Sequence, residues 1–130
     1  MKKKFVLVVH QPPYGQQGAY TAFRFAEQVI ALGHHIEQIF FYQDGVYNAS
    51  ELLCPQSDEL NLAKRWHKLH IDYNVPLICC SAAALRRGII SPDEQKDYQL
   101  PSSNTAPAFV FSGLGELVKA MNNCDKLVQF

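Results

Sequence analysis

The chain has 130 residues, of which 48% are hydrophobic and 18% are charged, a composition that excludes a disordered tail and a coiled coil. Twelve Lys and Arg residues balance twelve Asp and Glu residues, so the chain offers no overall attraction to the phosphates of a nucleic acid, and we expect no direct nucleic-acid binding. This length suits one compact domain, which we place at residues 1–130.

The predicted elements alternate between strands and helices from the N-terminus onward. Residues 5–9 form a continuous apolar run, which is typical of a strand buried on both faces. Residues 19–30 carry apolar side chains at helical spacing, and Gly33 is well placed to end that helix. Residues 36–41 predict a second strand, and residues 44–48 predict a loop.

The alternation continues through the middle of the chain. An apolar stripe between residues 58 and 74 predicts a second long helix. Residues 77–79 predict a buried strand, because a short apolar run follows a proline. Residues 81–87 predict a short helix, with Ser81 as its candidate N-cap and Gly88 as its candidate stop.

The last third of the chain predicts less regular structure. Residues 91–107 are polar without a clear period and predict a loop with room for one helical turn. Residues 109–111 predict a short strand, residues 114–121 a final helix, and residues 126–130 a final strand. Strands separated by helices favour parallel pairing with right-handed crossovers. The predicted fold is therefore α/β, a three-layer doubly wound sheet of about five mostly parallel strands with helices on both faces.

The N-terminal segment is too short for a targeting signal. The lysines at positions 2–4 precede the apolar run 5–9, an order that superficially resembles a signal peptide. A secretory signal needs an apolar run of about 7–15 residues, and a membrane span needs about 20. We therefore expect a cytoplasmic protein whose cysteines remain reduced.

Four cysteines, Cys54, Cys79, Cys80 and Cys124, are expected to be free thiols. No pair has the CxxC spacing of a zinc site or of a thioredoxin-like motif. A disulfide between the adjacent Cys79 and Cys80 would strain the peptide between them. We expect Cys79 to point to the opposite face of its strand from Cys80 and to belong to the core. A role for Cys79 as a resolving thiol beside Cys80 stays open.

Cys80 is the strongest candidate for chemistry. It closes a strand directly before a short helix, where unpaired backbone N–H groups and the helix dipole stabilise an anion. This setting favours the thiolate, which is the form that attacks sulfur, and it would also steady a persulfide anion. The alternative is that Cys80 is simply a small buried residue.

Other candidate residues carry weaker signals. His67 and His70 are three residues apart and could meet on one helix face, but no third ligand is placed beside them, so we predict no metal site. His10 ends the first strand, where it would line the reactive edge of the sheet. The loop that contains Gly15 and Gly18 matches no phosphate-binding motif and favours a plain turn.

Four stretches of the sequence resemble the DsrE family, in the same order and at compatible separations: residues 40–49, 80–88, 112–115 and 124–130. The resemblance runs nearly end to end. It implies a sulfurtransferase that accepts persulfide sulfur on Cys80, the residue that falls on the family's active cysteine. Persulfide exchange between cysteines parallels thiol–disulfide exchange, so it requires no metal or organic cofactor. It does require that two partner proteins reach Cys80 in turn.

The resemblance also implies partners. Related TusB-like and TusC-like subunits would join this chain in a dimer of heterotrimers, a TusA-like donor would supply the sulfur, and a TusE-like acceptor would carry it onward. The sulfur would end as the 2-thio group of a tRNA wobble uridine, installed by a separate enzyme. The aromatic segment 40–47 suits either such an interface or the core. Two alternatives remain, a non-catalytic assembly subunit of the same type of complex and a flavodoxin-like redox protein.

Overall fold

Five strands form one sheet in the computed structural model, which describes residues 1–130. The sheet order is β4-β3-β2-β1-β5, and every pairing is parallel. The α/β prediction is therefore confirmed, with a sheet that is parallel throughout. The strands are β1 (Lys4–Val9), β2 (His35–Phe41), β3 (Leu77–Cys80), β4 (Phe109–Ser112) and β5 (Lys126–Gln129).

Helices connect the strands on both faces of the sheet. The helices between β1 and β4 each connect a strand to its next neighbour in the sheet. The last helix instead connects β4 to β5, which lies at the opposite edge of the sheet. Right-handed crossovers then place the earlier helices on one face, the first face, and the last helix on the second face. The helices are α1 (Gly18–Ala31), a 3₁₀ helix (Gln43–Ala49), α2 (Leu62–Tyr73), α3 (Ser81–Arg86), α4 (Pro92–Asp97) and α5 (Leu114–Asn122).

The first face carries a closed aromatic core. The ring of Phe41 on β2 lies edge-on to Trp66 of α2, with 5.2 Å between ring centroids, and to Phe109 of β4, at 5.1 Å. Phe23 of α1 meets the same Trp66 at 5.5 Å. Edge-to-face contacts of this kind contribute beyond the area that they bury. They bind α1 and α2 to the sheet, and Phe41 of the aromatic segment 40–47 belongs to this core.

The second face is covered by α5 alone. Val6, Val8 and Phe40 are buried on this face, but the short helix leaves other large apolar side chains exposed. Val110 on β4 is 57% exposed and Val118 on α5 is 56% exposed. The exposed set, which we call the α5 face, consists of Val110, Leu114, Val118, Met121 and Leu127. No helix of the chain is both long and apolar enough to cross a membrane.

The segment after β2 is a 3₁₀ helix and not the predicted loop. Asn48 holds it in place, although its side chain is 0% exposed. Its Nδ2 donates to the carbonyl oxygens of Gln11, at 3.0 Å, and Gly45, at 2.8 Å, and its Oδ1 accepts from Trp66 Nε1 at 3.0 Å. Buried polar groups are stable only when they are hydrogen-bonded. Asn48 therefore joins the 3₁₀ helix to the first loop and to α2.

Replacing Asn48 by alanine is expected to lower the free energy of unfolding by about 2–4 kcal/mol, because it leaves the Trp66 indole N–H and two carbonyl oxygens without their partner. Urea denaturation measures the change. Asn123→Ala is the matched control, since that side chain makes one bond, to the carbonyl oxygen of Lys119, at an exposed helix end. An equal loss in both variants would contradict the role assigned to Asn48.

One prediction about a helix end is wrong. Ser81 is the first residue of α3 and not its N-cap, because β3 extends one residue further and places Cys80 at the N-cap position, without a side-chain cap. The loop before β4, predicted to have room for one helical turn, contains the six-residue helix α4. Its capping box explains this, since Ser91 Oγ accepts from the Glu94 backbone N–H while the Glu94 carboxylate accepts from the Ser91 backbone N–H.

Two glycines end helices as predicted. Gly33 follows α1 with a φ of 83°, and Gly88 follows α3 with a φ of 72°. Only glycine adopts this left-handed conformation without strain, so each position stops its helix sharply. The turn at Gly88 fixes the length of α3, the helix that begins immediately after Cys80.

Candidate active site

Four side chains form a row along the carboxyl edge of the sheet. Cys80 ends β3 and is the register partner of Ser112 on β4. Tyr42 follows β2 directly, one residue after the pairing of Phe41 with Cys79, so it stands beside Cys80 on the other side. His10 follows β1 in the same way and lies beside Tyr42. The order along the edge is therefore Ser112, Cys80, Tyr42 and His10.

The side chains of this row lie on the second face. Phe41 contacts Trp66 on the first face, and the backbone at Tyr42 is extended, with φ −132° and ψ 158°. Successive side chains of an extended chain point to opposite faces, so Tyr42 lies on the second face. Cys79 is the register partner of Phe41, which places Cys80 on the same face as Tyr42. The ring of His10 lies 6.0 Å from the ring of Tyr42 and confirms that the row is continuous.

Cys80 is buried in the isolated chain, with 3% of its surface exposed. We expect two partner proteins to reach this residue, but the isolated chain does not present it at its surface. The turn from Ser112 into α5 is exposed at Gly113 and Gly115, where an added Cβ would meet no other atom within 4 Å.

Cys79 is a core residue, as the alternation predicted. It is 0% exposed, and all four cysteines are free thiols. Burial raises the pKa of the Cys79 thiol well above its ordinary 9.0, and the neighbouring Cys80 and Glu94 raise it further. Cys79 therefore stays protonated at neutral pH, which argues against a role as an attacking or resolving thiol.

The raised pKa of Cys79 predicts a pH-dependent contribution to stability. A thiol whose pKa is higher in the folded state than in the unfolded state stabilises the fold fully when the pH is below the unfolded pKa. This stabilisation is lost as the pH rises from the unfolded pKa toward the folded pKa. The difference in free energy of unfolding between wild type and Cys79→Ala should therefore shrink by about 1.4 kcal/mol per pH unit above about pH 9. Urea denaturation between about pH 8 and pH 10 measures it. Cys54→Ala, at an exposed thiol, is the control; a pH-independent difference for Cys79→Ala would contradict the prediction.

An ion pair fixes the helix that follows Cys80. Arg87 Nε donates to Asp44 Oδ1 at 2.8 Å, and Arg87 Nη1 donates to the carbonyl oxygen of Ala83 at 3.1 Å. This joins α3 to the 3₁₀ helix at the carboxyl edge. The sequence gives no local signal for this pair, because Asp44 and Arg87 lie far apart in the chain.

The remaining histidines do not form a metal site. His67 is exposed. His70 Nδ1 lies 2.8 Å from the carbonyl oxygen of Val75, just beyond the end of α2. No group of three or more His, Cys, Asp or Glu residues is arranged to hold a metal ion. His10 lines the carboxyl edge as expected, and its Nδ1 lies 3.0 Å from Gln43 Oε1.

The first loop leaves no room for a phosphate at the start of α1. Gln11 Oε1 accepts a hydrogen bond from the Gly18 backbone N–H at 2.7 Å, and a Cβ at position 18 would overlap the Gln11 side chain. The side chain of Gln11 thus takes the place that an anion would fill at this helix N-terminus. This contact counts against the flavodoxin-like alternative.

Comparison with known proteins agrees with this geometry. The family model described as "DsrE/DsrF-like family" matches residues 3–130. The chain belongs to the DsrE family. Among curated relatives of this DsrE chain, the sulfurtransferase TusD of Proteus mirabilis (strain HI4320) is 48% identical over 130 residues, which cover 100% of both chains. Among solved structures, the ychN protein from E. coli has the same fold, with a TM-score of 0.80 and 20% identity over 100% of both chains.

Proposed function

We propose that this DsrE protein is a sulfurtransferase subunit of a sulfur relay and that it carries sulfur as a persulfide on Cys80. The position of Cys80 carries the proposal: it ends a central strand, faces away from the aromatic core and lies directly before α3. The full-length identity of 48% to a protein named sulfurtransferase TusD supports the reaction class. The raised pKa of the Cys79 thiol favours Cys80 as the reactive thiol of this pair.

The reaction needs only two exchange steps. The Cys80 thiolate attacks the outer sulfur of a donor persulfide, the S–S bond of the donor breaks, and the donor cysteine leaves as a thiolate. Cys80 then carries Cys–S–SH, and an acceptor thiolate attacks its outer sulfur and releases the Cys80 thiolate. The number of electrons is conserved in each step, so no oxidant, reductant or cofactor takes part. A TusA-like donor and a TusE-like acceptor would fill the two roles, with tRNA wobble uridine as the final destination of the sulfur.

Both exchange steps require that the buried Cys80 become accessible to the carrier cysteine. Only 3% of the residue is exposed, so a carrier cysteine meets it after a local opening of the carboxyl edge. Docking of a carrier protein in the cytoplasm would favour the open form and would limit loss of sulfur to small thiols.

Intact-mass spectrometry tests the proposal. The chain, with Cys54 and Cys124 replaced by serine, is incubated with a persulfide-loaded donor, alone and together with its TusB-like and TusC-like subunits. We expect a gain of one sulfur atom that peptide mapping assigns to Cys80. If no sulfur is gained in either form, the non-catalytic assembly subunit becomes the better description of this chain.

The α5 face supports a hetero-oligomer. It consists of apolar residues that the chain itself leaves uncovered, next to the edge that carries Cys80. Large apolar residues that are exposed on one side of a protein are typical of protein interfaces. The occupants we propose are the TusB-like and TusC-like subunits, in a dimer of heterotrimers.

Val118→Lys is expected to weaken assembly with those subunits by about thirtyfold or more, because it places a charge in the centre of the α5 face. Light scattering after size-exclusion chromatography and titration calorimetry measure the effect. Ile71→Lys is the matched control, since Ile71 is an equally exposed apolar residue on α2, on the other side of the sheet. Equal weakening by both variants would contradict this location for the interface.

A further inference from the structure

Two hydroxyl side chains flank Cys80 on the second face of the sheet. Ser112 is its register partner on β4, and Tyr42 follows the strand on the other side. Two other tyrosine hydroxyls are engaged: that of Tyr14 donates to the carbonyl oxygen of Leu60, and that of Tyr20 accepts from Arg24. The hydroxyls of Tyr42 and Ser112 make no hydrogen bond to a protein group. Both side chains are half-buried, so the two hydroxyls can donate hydrogen bonds to a group that is not part of the protein chain.

We propose that the hydroxyls of Tyr42 and Ser112 hold the outer sulfur of the Cys80 persulfide by donating hydrogen bonds to it. The inference rests on the proposed function and names the residues that retain the sulfur between donor and acceptor. Neighbouring parallel strands lie about 4.8 Å apart, so side chains in register on both sides of a cysteine are within reach of an atom bound to its sulfur.

The environment of the Cys80 sulfur makes such donors necessary. Cys80 is almost completely shielded from water, and a persulfide loses a proton readily to become an anion. A buried anion without hydrogen-bond donors is strongly disfavoured, whereas charge-assisted hydrogen bonds to hydroxyl groups compensate for the lost water. Tyr42 and Ser112 are the hydroxyl donors that the adjoining strands supply.

The neighbours of Tyr42 keep its ring in place. The ring of His10 lies edge-on to that of Tyr42, with centroids 6.0 Å apart, on the side away from Cys80. His10 is itself fixed by the contact of its Nδ1 with Gln43 Oε1 at 3.0 Å. These contacts leave Tyr42 little freedom to swing away from the cysteine, so His10 acts as a positioning residue for the tyrosine.

Proton movements complete the cycle. After loading, Cys80–S–SH releases its proton to solvent, and the two hydroxyls stabilise the Cys80–S–S⁻ that remains. Before unloading, a proton returns from solvent to the outer sulfur. The acceptor thiolate then attacks that sulfur, the bond to the Cys80 sulfur breaks, and the Cys80 thiolate is restored. The hydroxyls therefore store the sulfur in its less readily transferred form.

The lifetime of the persulfide tests the inference. The full chain, with Cys54 and Cys124 replaced by serine, is loaded with glutathione persulfide, and loss of the added sulfur to glutathione is followed by intact mass across a pH series. Tyr42→Phe and Ser112→Ala should each shorten the lifetime about tenfold, because each removes one hydrogen bond to a charged group. The midpoint of the pH profile should move upward in both variants. Tyr98→Phe, at an exposed tyrosine beyond α4, should change neither quantity.

Ser112→Thr separates the effect of losing the hydroxyl from the effect of disturbed packing. It keeps the hydrogen-bond donor, so the persulfide should last as long as in wild type even if Ser112→Ala disturbs packing. If wild type loads sulfur on Cys80 and the variants without hydroxyls keep it as long as wild type, at the same pH midpoint, the inference is overturned while the relay function stands. If wild type takes up no sulfur at Cys80 from glutathione persulfide or from the persulfide-loaded donor, alone or with its partner subunits, the proposed function fails, and the role of the two hydroxyls fails with it.

Discussion

Replacing Cys80 by serine is expected to abolish sulfur uptake completely. A serine hydroxyl is not ionised near neutral pH and does not attack persulfide sulfur, whereas a thiolate does. In the background without Cys54 and Cys124, the sulfur gained by Cys80→Ser should fall to the level of a chain in which all four cysteines are serine. Intact-mass spectrometry after incubation with the persulfide-loaded donor measures the difference.

Cys79→Ala is the matched control for this loss. It removes the adjacent thiol, which is buried and protonated, and leaves Cys80 in place. We expect this variant to gain one sulfur atom as wild type does, at some cost in stability from the lost packing. Full uptake by Cys80→Ser, or loss of uptake in Cys79→Ala with the fold intact, would show that the relay thiol has been assigned to the wrong cysteine.

Gly45→Ala is expected to destabilise the chain by about 2–4 kcal/mol, because overpacking against backbone cannot be relieved by a rotamer change. A Cβ at position 45 would overlap the carbonyl oxygen of Val9 and lie 2.8 Å from its carbonyl carbon. The 3₁₀ helix would have to move away from the end of β1. Since Asp44 in that helix holds Arg87, the shift should also disturb α3 next to Cys80.

Thermal and urea unfolding measure the effect of Gly45→Ala, and persulfide loading reports on Cys80. Gly115→Ala is the matched control: it makes the same substitution in α5, where the added Cβ meets no atom within 4 Å, and alanine favours the helix over glycine. We expect this control to be neutral or slightly stabilising. A change of less than about 0.5 kcal/mol for Gly45→Ala would mean that the 3₁₀ helix yields easily, contrary to its contacts.

Most elements of the fold were predictable because their signals are local. Continuous apolar runs placed all five strands to within one or two residues, and helical spacing placed α1, α2 and α5. Helix α4 was predicted only as room for one helical turn, although a clearer signal was present, since Ser91 and Glu94 have the spacing of a capping box. The 3₁₀ helix had no comparable signal, because what stabilises it is the contact of Asn48 with Trp66, which lies on another element.

Some residues of the candidate site were likewise predictable from the sequence, and others were not. Cys80 could be selected from the sequence, because a strand that ends directly before a helix is a local pattern and the resemblance to the DsrE family falls on the same residue. The neighbours Tyr42 and Ser112 could not be selected, since only the register of β2, β3 and β4 brings them to either side of it. The ion pair of Asp44 with Arg87 depends on the same arrangement.

The sequence by itself determined the alternation of strands and helices, the absence of overall charge and the cysteine at the strand–helix junction. These follow from residue types and from spacings within one element. Only the tertiary structure decided that Cys80 is buried, that the pKa of the Cys79 thiol is raised and that the α5 face remains uncovered. Burial, pKa shifts and exposed faces depend on how elements far apart in the chain pack against one another, and no spacing within a single element carries that information.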